Sequence, residues 1–155
     1  MKKIILLLLA LCFGVSGVYS QTLLSQGKTA WASSVQGGGV AANGNDGNDG
    51  TRWESLHKID PQWWAVDLGD EYHIFRVEID WEAANAKDYT IQISNDKEFG
   101  TFTEVGKLTG ASSGKHTDVL PTDITVKGRY VRVHGTARNM DYGYSFFECR
   151  VYGVD

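Results

Sequence analysis

A strict alternation of apolar and polar side chains between His73 and Trp81 constrains the fold of this chain more than any other sequence feature. The alternating positions hold Phe75, Val77, Ile79 and Trp81 on one side and Arg76, Glu78 and Asp80 on the other. Successive side chains of a strand point to opposite faces, so this pattern predicts a half-buried β-strand. Similar alternation recurs around residues 89–94, 130–134 and 146–152, and no segment after residue 20 keeps a helical period for three turns. We therefore expect an all-β fold built from antiparallel strands.

The first twenty of the 155 residues have the pattern of an export signal. Lys2 and Lys3 precede an apolar run over residues 4–11, and residues 18–20 form a cleavage site after Ser20. The apolar stretch ends before the ~20 residues that a transmembrane helix needs, so we expect no membrane insertion. The sequence thus predicts a signal peptide over residues 1–20 and one domain over residues 21–155. That domain would be secreted, periplasmic or associated with the cell surface.

The predicted domain is acidic and holds a single cysteine. Residues 1–20 contain two of the fifteen Lys and Arg and none of the nineteen Asp and Glu, which leaves thirteen basic against nineteen acidic residues. This charge argues against a partner that is nucleic acid or an anionic membrane. Cys12 belongs to the signal peptide, so Cys149 has no partner for an intramolecular disulfide. Because Cys149 alternates inward with Phe147 and Val151, we expect it to be a small buried side chain rather than a nucleophile.

A cluster of oxygen-bearing residues lies between Asn43 and Thr51, and also includes Asp46 and Asn48. Glycines between them permit tight bends, and oxygen ligands that converge from one loop suit a hard cation such as calcium. An EF-hand is excluded, because the twelfth position counted from Asp46 is His57 rather than Glu. The residues alone leave two interpretations open, a cation loop and an ordinary turn rich in Asn and Asp.

The sequence contains no recognised catalytic motif. Glu54 and Glu82 could form the carboxylate pair of a glycosidase, but any small acidic protein offers such pairs. A non-catalytic protein is therefore the stronger expectation.

Aromatic residues give a second signal. Five tryptophans fall within roughly fifty residues; we expect the core to hold Trp53 and one of Trp63 and Trp64. An exposed ring beside charged groups suits a sugar, because the ring covers the apolar C–H face and the charged groups bind hydroxyls. Three aromatic residues lie in or next to turn-rich segments and are candidates for this role, namely Trp31, Tyr142 and Tyr144.

Several motifs in a fixed order resemble one known family. They run from Asp46-Gly-Asn48-x-x-Thr51-Arg52-Trp53 through Asp60-Pro61-Gln62-Trp63 and Trp81-Glu82-Ala83-Ala84 to Tyr142-Gly143-Tyr144-Ser145 and Glu148-x-x-Val151-Tyr152-Gly153. Together they are similar to the discoidin domain, also called the coagulation factor five/eight type C domain. The likeness is closest to the bacterial branch classed as carbohydrate-binding module family 32. It implies a single eight-stranded antiparallel β-sandwich of jelly-roll, galactose-binding-domain-like type.

The resemblance also implies a structural calcium ion. Asp46, Asn48 and Thr51 match the family's cation loop position by position, and the carbonyl of Asn43 and the carboxylate of Glu148 would complete the ligand set. These oxygens amount to the number that calcium takes. The ion would stabilise the fold by tying an early loop to the last strand.

The resemblance further implies a sugar site on loops at one end of the sandwich. The candidate ligand-binding residues are Trp31, Glu54, His57, Glu82, Arg138 and Tyr142. Galactose-binding relatives carry an Arg several residues before an Asn, whereas this chain has Glu82, Ala83 and Ala84 before Asn85. This departure argues against recognition of galactose.

We therefore expect a secreted, non-catalytic carbohydrate-binding module for a β-glucan, a chitosan-like chain or a galactoside. A secreted glycoside hydrolase or a cell-surface component would be its protein partner. There are two alternatives, an adhesion module that binds proteins and a small glycoside-cleaving enzyme. The adhesion module is less favoured, because protein-binding relatives typically carry a disulfide between their ends and Cys149 has no partner for one.

Overall fold

The computed structural model describes residues 21–123 and 125–155, and the predicted signal peptide lies outside them. This part of the chain contains nine strands and one 3-10 turn, Ala41–Gly44. The strands are β1 (Thr22–Leu23), β2 (Ala30–Ala32), β3 (Trp53–Glu54), β4 (Gln62–Trp81), β5 (Ala86–Ser94), β6 (Thr103–Leu108), β7 (His116–Pro121), β8 (Lys127–Arg138) and β9 (Ser145–Val154). No helix in the described ranges is long and apolar enough to cross a membrane.

The antiparallel β-sandwich is confirmed, but the expected count of eight strands is wrong. The structure has nine, two of which, β1 and β3, are only two residues long and pair with β9. Segments this short leave no alternation in the sequence from which they could be counted.

Strand β4 takes part in both layers of the sandwich. Its residues 62–73 pair with β8, and residues 73–81 pair with β9. The register shifts between Asp67 and Tyr72, where Gly69 has a φ of +93° that a residue with a side chain rarely adopts. The first layer also contains β2, β5 and β6, and the second contains β1, β3 and β7.

Aromatic rings from both layers meet in the core. Phe146 of the second layer lies with its ring centroid 5.4 Å from that of Trp64 of the first, and 5.1 and 5.6 Å from those of Trp53 and Trp81. Trp81 also contacts Tyr89 of the first layer at 5.2 Å. All five rings are fully buried, as expected for Trp53 and for one of the pair Trp63 and Trp64.

Two bulges change which residues of β4 and β9 point into the core, so the faces predicted for part of each strand are wrong. Where β4 pairs with β9, Phe75 and Phe147 are each an extra residue without an opposite partner. Ile74 and Phe146 therefore point into the core in place of Phe75 and Phe147, which are half-buried. Beyond the bulges the predicted inward positions hold, and Cys149 is a buried free thiol.

Candidate functional site

Four of the six predicted ligand-binding residues line one depression of about 250 Å³ at an end of the sandwich. They are Glu54, His57, Glu82 and Tyr142, and the remaining walls come from Arg52, Ala83, Ala84 and Met140. Glu54 ends β3, Glu82 follows β4, and Tyr142 precedes β9, so three separate segments build the depression.

Backbone contacts with the start of β9 hold these segments next to each other. Glu54 pairs with Ser145 in the β3–β9 ladder, and the backbone N–H of Glu82 donates to the Ser145 carbonyl at 3.0 Å. The Tyr144 backbone N–H donates to the Ser55 Oγ at 2.8 Å. A Cβ at Gly143 would lie 2.3 Å from the Ser55 carbonyl oxygen, so only glycine allows this approach.

Charged groups in the depression are held in defined positions. Glu54 accepts from Arg52 at 3.0 Å through one oxygen and contacts the His57 Nε2 at 2.8 Å through the other. Glu82 accepts from the backbone N–H of Ala84 at 2.9 Å. Tyr142 is 57% exposed, and its ring meets the His57 ring edge-on with a centroid distance of 5.4 Å. The result is an open aromatic surface beside two carboxylates.

Arg138, the fifth predicted residue, lies behind the depression rather than in its lining. Its guanidinium donates to the Asp60 carboxylate at 3.0 Å and to the Tyr142 carbonyl at 3.4 Å. Arg138 thus supports the segment that carries Tyr142.

The structure does not bring Trp31 into the depression, which corrects that prediction. Trp31 belongs to β2, which pairs with the first half of β4, and its side chain lies on the outer face of the first layer. There it packs edge-on against Tyr130 at 6.0 Å, and the Lys97 Nζ lies 5.5 Å from its ring centroid. Tyr144, the third aromatic candidate, is also ruled out as a contact surface because it is 1% exposed.

The five predicted cation ligands occupy one folded loop and the strand beside it. Asp46 accepts from the Asn48 backbone N–H at 2.8 Å and from the Thr51 hydroxyl at 2.7 Å. Glu148 accepts from the N–H groups of Gly47 at 2.8 Å and Asn48 at 3.1 Å. The side chain of Asn43 ties the preceding turn to the Arg52 carbonyl at 3.1 Å.

The donor set of this loop suits a hard cation. Burial raises the pKa of the Glu148 carboxyl to about 7; the neighbouring Asp46 carboxyl adds to the rise, whereas the Gly47 and Asn48 N–H groups oppose it. Two carboxylates side by side, with hydroxyl and carbonyl oxygens near them, are stabilised by a positive ion. The described residues contain no cluster of three or more His, Cys, Asp and Glu, so the remaining ligands would be the Thr51 hydroxyl and amide or backbone oxygens.

One known family model matches most of this chain. The model of the F5/8 type C domain matches residues 29–148. The chain belongs to this family. A search of curated proteins found no match.

Solved structures of other proteins share the fold of this F5/8 type C domain. Chitosan-binding module 1 of a chitosanase/glucanase from Paenibacillus sp. IK-5 is 44% identical, with a TM-score of 0.78 over 85% of this chain and 99% of its own. Chitosan-binding module 2 of the same enzyme, solved with chitotriose, is 35% identical with a TM-score of 0.78, over 84% and 99%. The family 32 module of NanJ from C. perfringens, solved with galactose, is 22% identical with a TM-score of 0.75, over 86% and 99%. The last likeness shows the fold alone.

Four of the eight residues that line the depression in this F5/8 type C domain are not among the predicted ligand-binding residues, namely Arg52, Ala83, Ala84 and Met140. Arg52 belongs to the motif that ends at Trp53, and its position two residues before Glu54 on an extended segment indicates a pair on one face. Met140, which is 38% exposed, has no sequence signal that distinguishes it from an ordinary loop residue.

Proposed function

We propose that the domain is a secreted, non-catalytic carbohydrate-binding module for chitosan-like glycans. The observation that carries this proposal is the exposed ring of Tyr142 beside the carboxylates of Glu54 and Glu82. A sugar ring can stack its C–H face on the phenol, and the ammonium group of an amino sugar can pair with a carboxylate. The two chitosan-binding modules described above, at 44% and 35% identity, support this ligand class.

Galactose is the less favoured ligand. Asn85, the Asn that follows Glu82, Ala83 and Ala84, is fully buried. Its Nδ2 donates to the carbonyls of Ala86 at 3.1 Å and Ser112 at 2.9 Å, so it serves the loop instead of a ligand.

The expected affinity is modest. One ring stack contributes about 0.5–1.5 kcal/mol, and each hydrogen bond about 1 kcal/mol net. Four or five contacts then give roughly 4–6 kcal/mol, which corresponds to dissociation constants between about millimolar and tens of micromolar. Repeated units along a polysaccharide, or a protein partner such as a secreted glycoside hydrolase or a cell-surface component, would add avidity.

Isothermal titration with chitosan, β-glucan and galactose oligosaccharides tests the glycan. We expect heat from the chitosan oligosaccharides, weakened about fivefold or more by Glu82→Gln and unchanged by Glu98→Gln in a remote exposed turn. Absence of binding to every glycan would refute the proposal. Release of reducing ends that stops in Glu54→Gln or Glu82→Gln would instead favour an enzyme.

We further propose that the loop at residues 43–51 and Glu148 bind a structural calcium ion. Asp46, Asn48, Thr51, Glu148 and the carbonyl of Asn43 would hold it, and the bound ion would offset the charge of two adjacent carboxylates. The melting temperature in calcium should exceed that in chelator, and Asp46→Ala should abolish the difference. Equal melting temperatures would refute the site.

Secretion after cleavage of residues 1–20 is also part of the proposal. The amino terminus of the exported protein should be Gln21, which N-terminal sequencing can check.

A further inference from the structure

The depression around Tyr142 adjoins a larger one that shares Arg52, Glu54 and His57 with it. This second depression has a volume of about 470 Å³, and the same three side chains line both. Its other walls are Gln36, Gly37, Gly38, Gly39, Asn43, Gly50 and Thr51. The two depressions therefore adjoin each other, and we call the pair the groove, with an inner compartment at Tyr142 and an outer compartment at Gly38.

The floor of the outer compartment is bare backbone in a fixed position. A Cβ at Gly37 or Gly38 would meet nothing within 4 Å, so the surface above them is open. A Cβ at Gly39 would lie 2.8 Å from the Glu54 backbone nitrogen, so the glycine segment packs closely on β3. The Asn43 side chain donates to the carbonyl of Gly38 at 3.2 Å and holds this floor in place. An open surface of this kind has room for a sugar ring that lies across it.

The two compartments differ in charge. Arg52 and Glu54 line both, and their ion pair at 3.0 Å offsets one charge with the other. His57 also lines both compartments and therefore does not distinguish them. Glu82 lines only the inner compartment. The inner compartment consequently has one uncompensated carboxylate for a cationic group, and the outer compartment has none.

We propose that the groove binds two adjacent sugar units of one chain and requires an amino group only on the unit over Tyr142. The unit in the outer compartment can be neutral, so a partially N-acetylated chitosan is bound as well as a fully deacetylated one. This inference rests on the proposed function and adds the length and the acetylation pattern of the ligand.

Calorimetry with four disaccharides tests the charge pattern: glucosamine dimer, N-acetylglucosamine dimer and the two mixed dimers. The glucosamine dimer and one mixed dimer should bind within about twofold of each other. The other mixed dimer should bind no better than glucosamine monosaccharide, about tenfold more weakly, because it cannot place its amino group beside Glu82 and still fill both compartments. Equal weakening of both mixed dimers, or weakening of neither, would overturn the proposal.

A steric block tests the occupancy of the outer compartment. Gly38→Leu places a side chain in open space and should reduce disaccharide affinity to that of the monosaccharide, whose own affinity should not change. Ser113→Leu, in an exposed turn outside the groove, is the matched control and should change neither. Unchanged disaccharide binding in folded Gly38→Leu would overturn the second subsite while the proposed function stands. Failure of the unaltered protein to bind any glucosamine ligand would overturn the proposed function itself.

Discussion

The loop at residues 43–51 with Glu148 and the inner compartment around Tyr142 differ in how far their key side chains are exposed. In the loop, the carboxylates accept hydrogen bonds from neighbouring backbone and hydroxyl groups, and Glu148 is only 2% exposed. In the inner compartment, Tyr142 is open to solvent and three separate segments supply the walls.

This difference implies different roles. Buried polar groups that bond one another add to the stability of the fold, because removing one leaves its partners unsatisfied. Exposed groups on a rigid frame contribute little to stability and are available to a ligand. Substitutions in the two regions should therefore separate unfolding free energy from glycan affinity.

The largest effect is expected for Glu148→Ala measured in calcium. The substitution leaves the N–H of Gly47 without its acceptor, removes one of the two acceptors of the Asn48 N–H and removes one proposed calcium ligand. It should lower the free energy of unfolding by about 2–4 kcal/mol. Urea denaturation measures this loss, with Glu98→Ala as the exposed control. The glycan dissociation constant of the folded variant should stay within about twofold, and a parallel loss of affinity would mean that the two regions are coupled.

The next effect is a pH dependence of the metal-free protein. In the unfolded chain the pKa of Glu148 lies near its ordinary value of 4.5, and in the folded protein burial raises this pKa to about 7. The folded state therefore binds the proton more tightly, and this contribution to stability is full below pH 4.5 and is lost as the pH rises through about 7.

In chelator, the contribution of Glu148 should make the unfolding free energy fall between pH 5 and pH 8 by about 2 kcal/mol, and in calcium this fall should shrink. Denaturation curves at several pH values, compared with Glu148→Gln, isolate the contribution. An identical pH profile in the variant would assign the dependence to other groups.

The contrast between the regions also explains what the sequence could predict. The alternation from Val77 to Trp81 correctly identified a buried face, because it reflects the local geometry of a strand. It failed at Phe75 and Phe147, because a bulge depends on the pairing partner as well as on the strand's own sequence.

The same reasoning applies to the two candidate sites. Asp46, Asn48 and Thr51 are close in sequence, so one loop brings them together, and only Glu148 comes from a distant strand. The inner compartment combines residues around Glu54, Glu82 and Tyr142, which are far apart in sequence and are brought together where β3 and the segment after β4 both bond to Ser145. Trp31 could not be assigned correctly, because the composition around it does not show which face β2 presents.

Tyr142→Ala should reduce glycan affinity and leave the stability of the fold almost unchanged. Loss of the exposed ring removes the stacking surface and should weaken glycan binding roughly tenfold, about 1.4 kcal/mol, while the unfolding free energy changes by less than about 0.5 kcal/mol. Titration calorimetry and denaturation of the same sample measure both. Trp31→Ala is the control: it lies outside the groove and should leave the affinity within about twofold. A tenfold loss in that variant would restore Trp31 as a ligand-binding residue.

The smallest effect is expected for Arg138→Gln. Arg138 supports the Tyr142 carbonyl and Asp60 from behind, so its loss should loosen the position of the Tyr142 ring without removing a direct contact. Calorimetry should show about a threefold weaker affinity, since one hydrogen bond at a part-exposed position is worth less than about 1 kcal/mol. Arg129→Gln, which removes an ion pair with Asp67 far from the groove, is the matched control and should leave the affinity unchanged. A loss as large as that of Tyr142→Ala would mean that Arg138 itself contacts the glycan, and the groove would then extend behind Tyr142 to the carboxylate of Asp60.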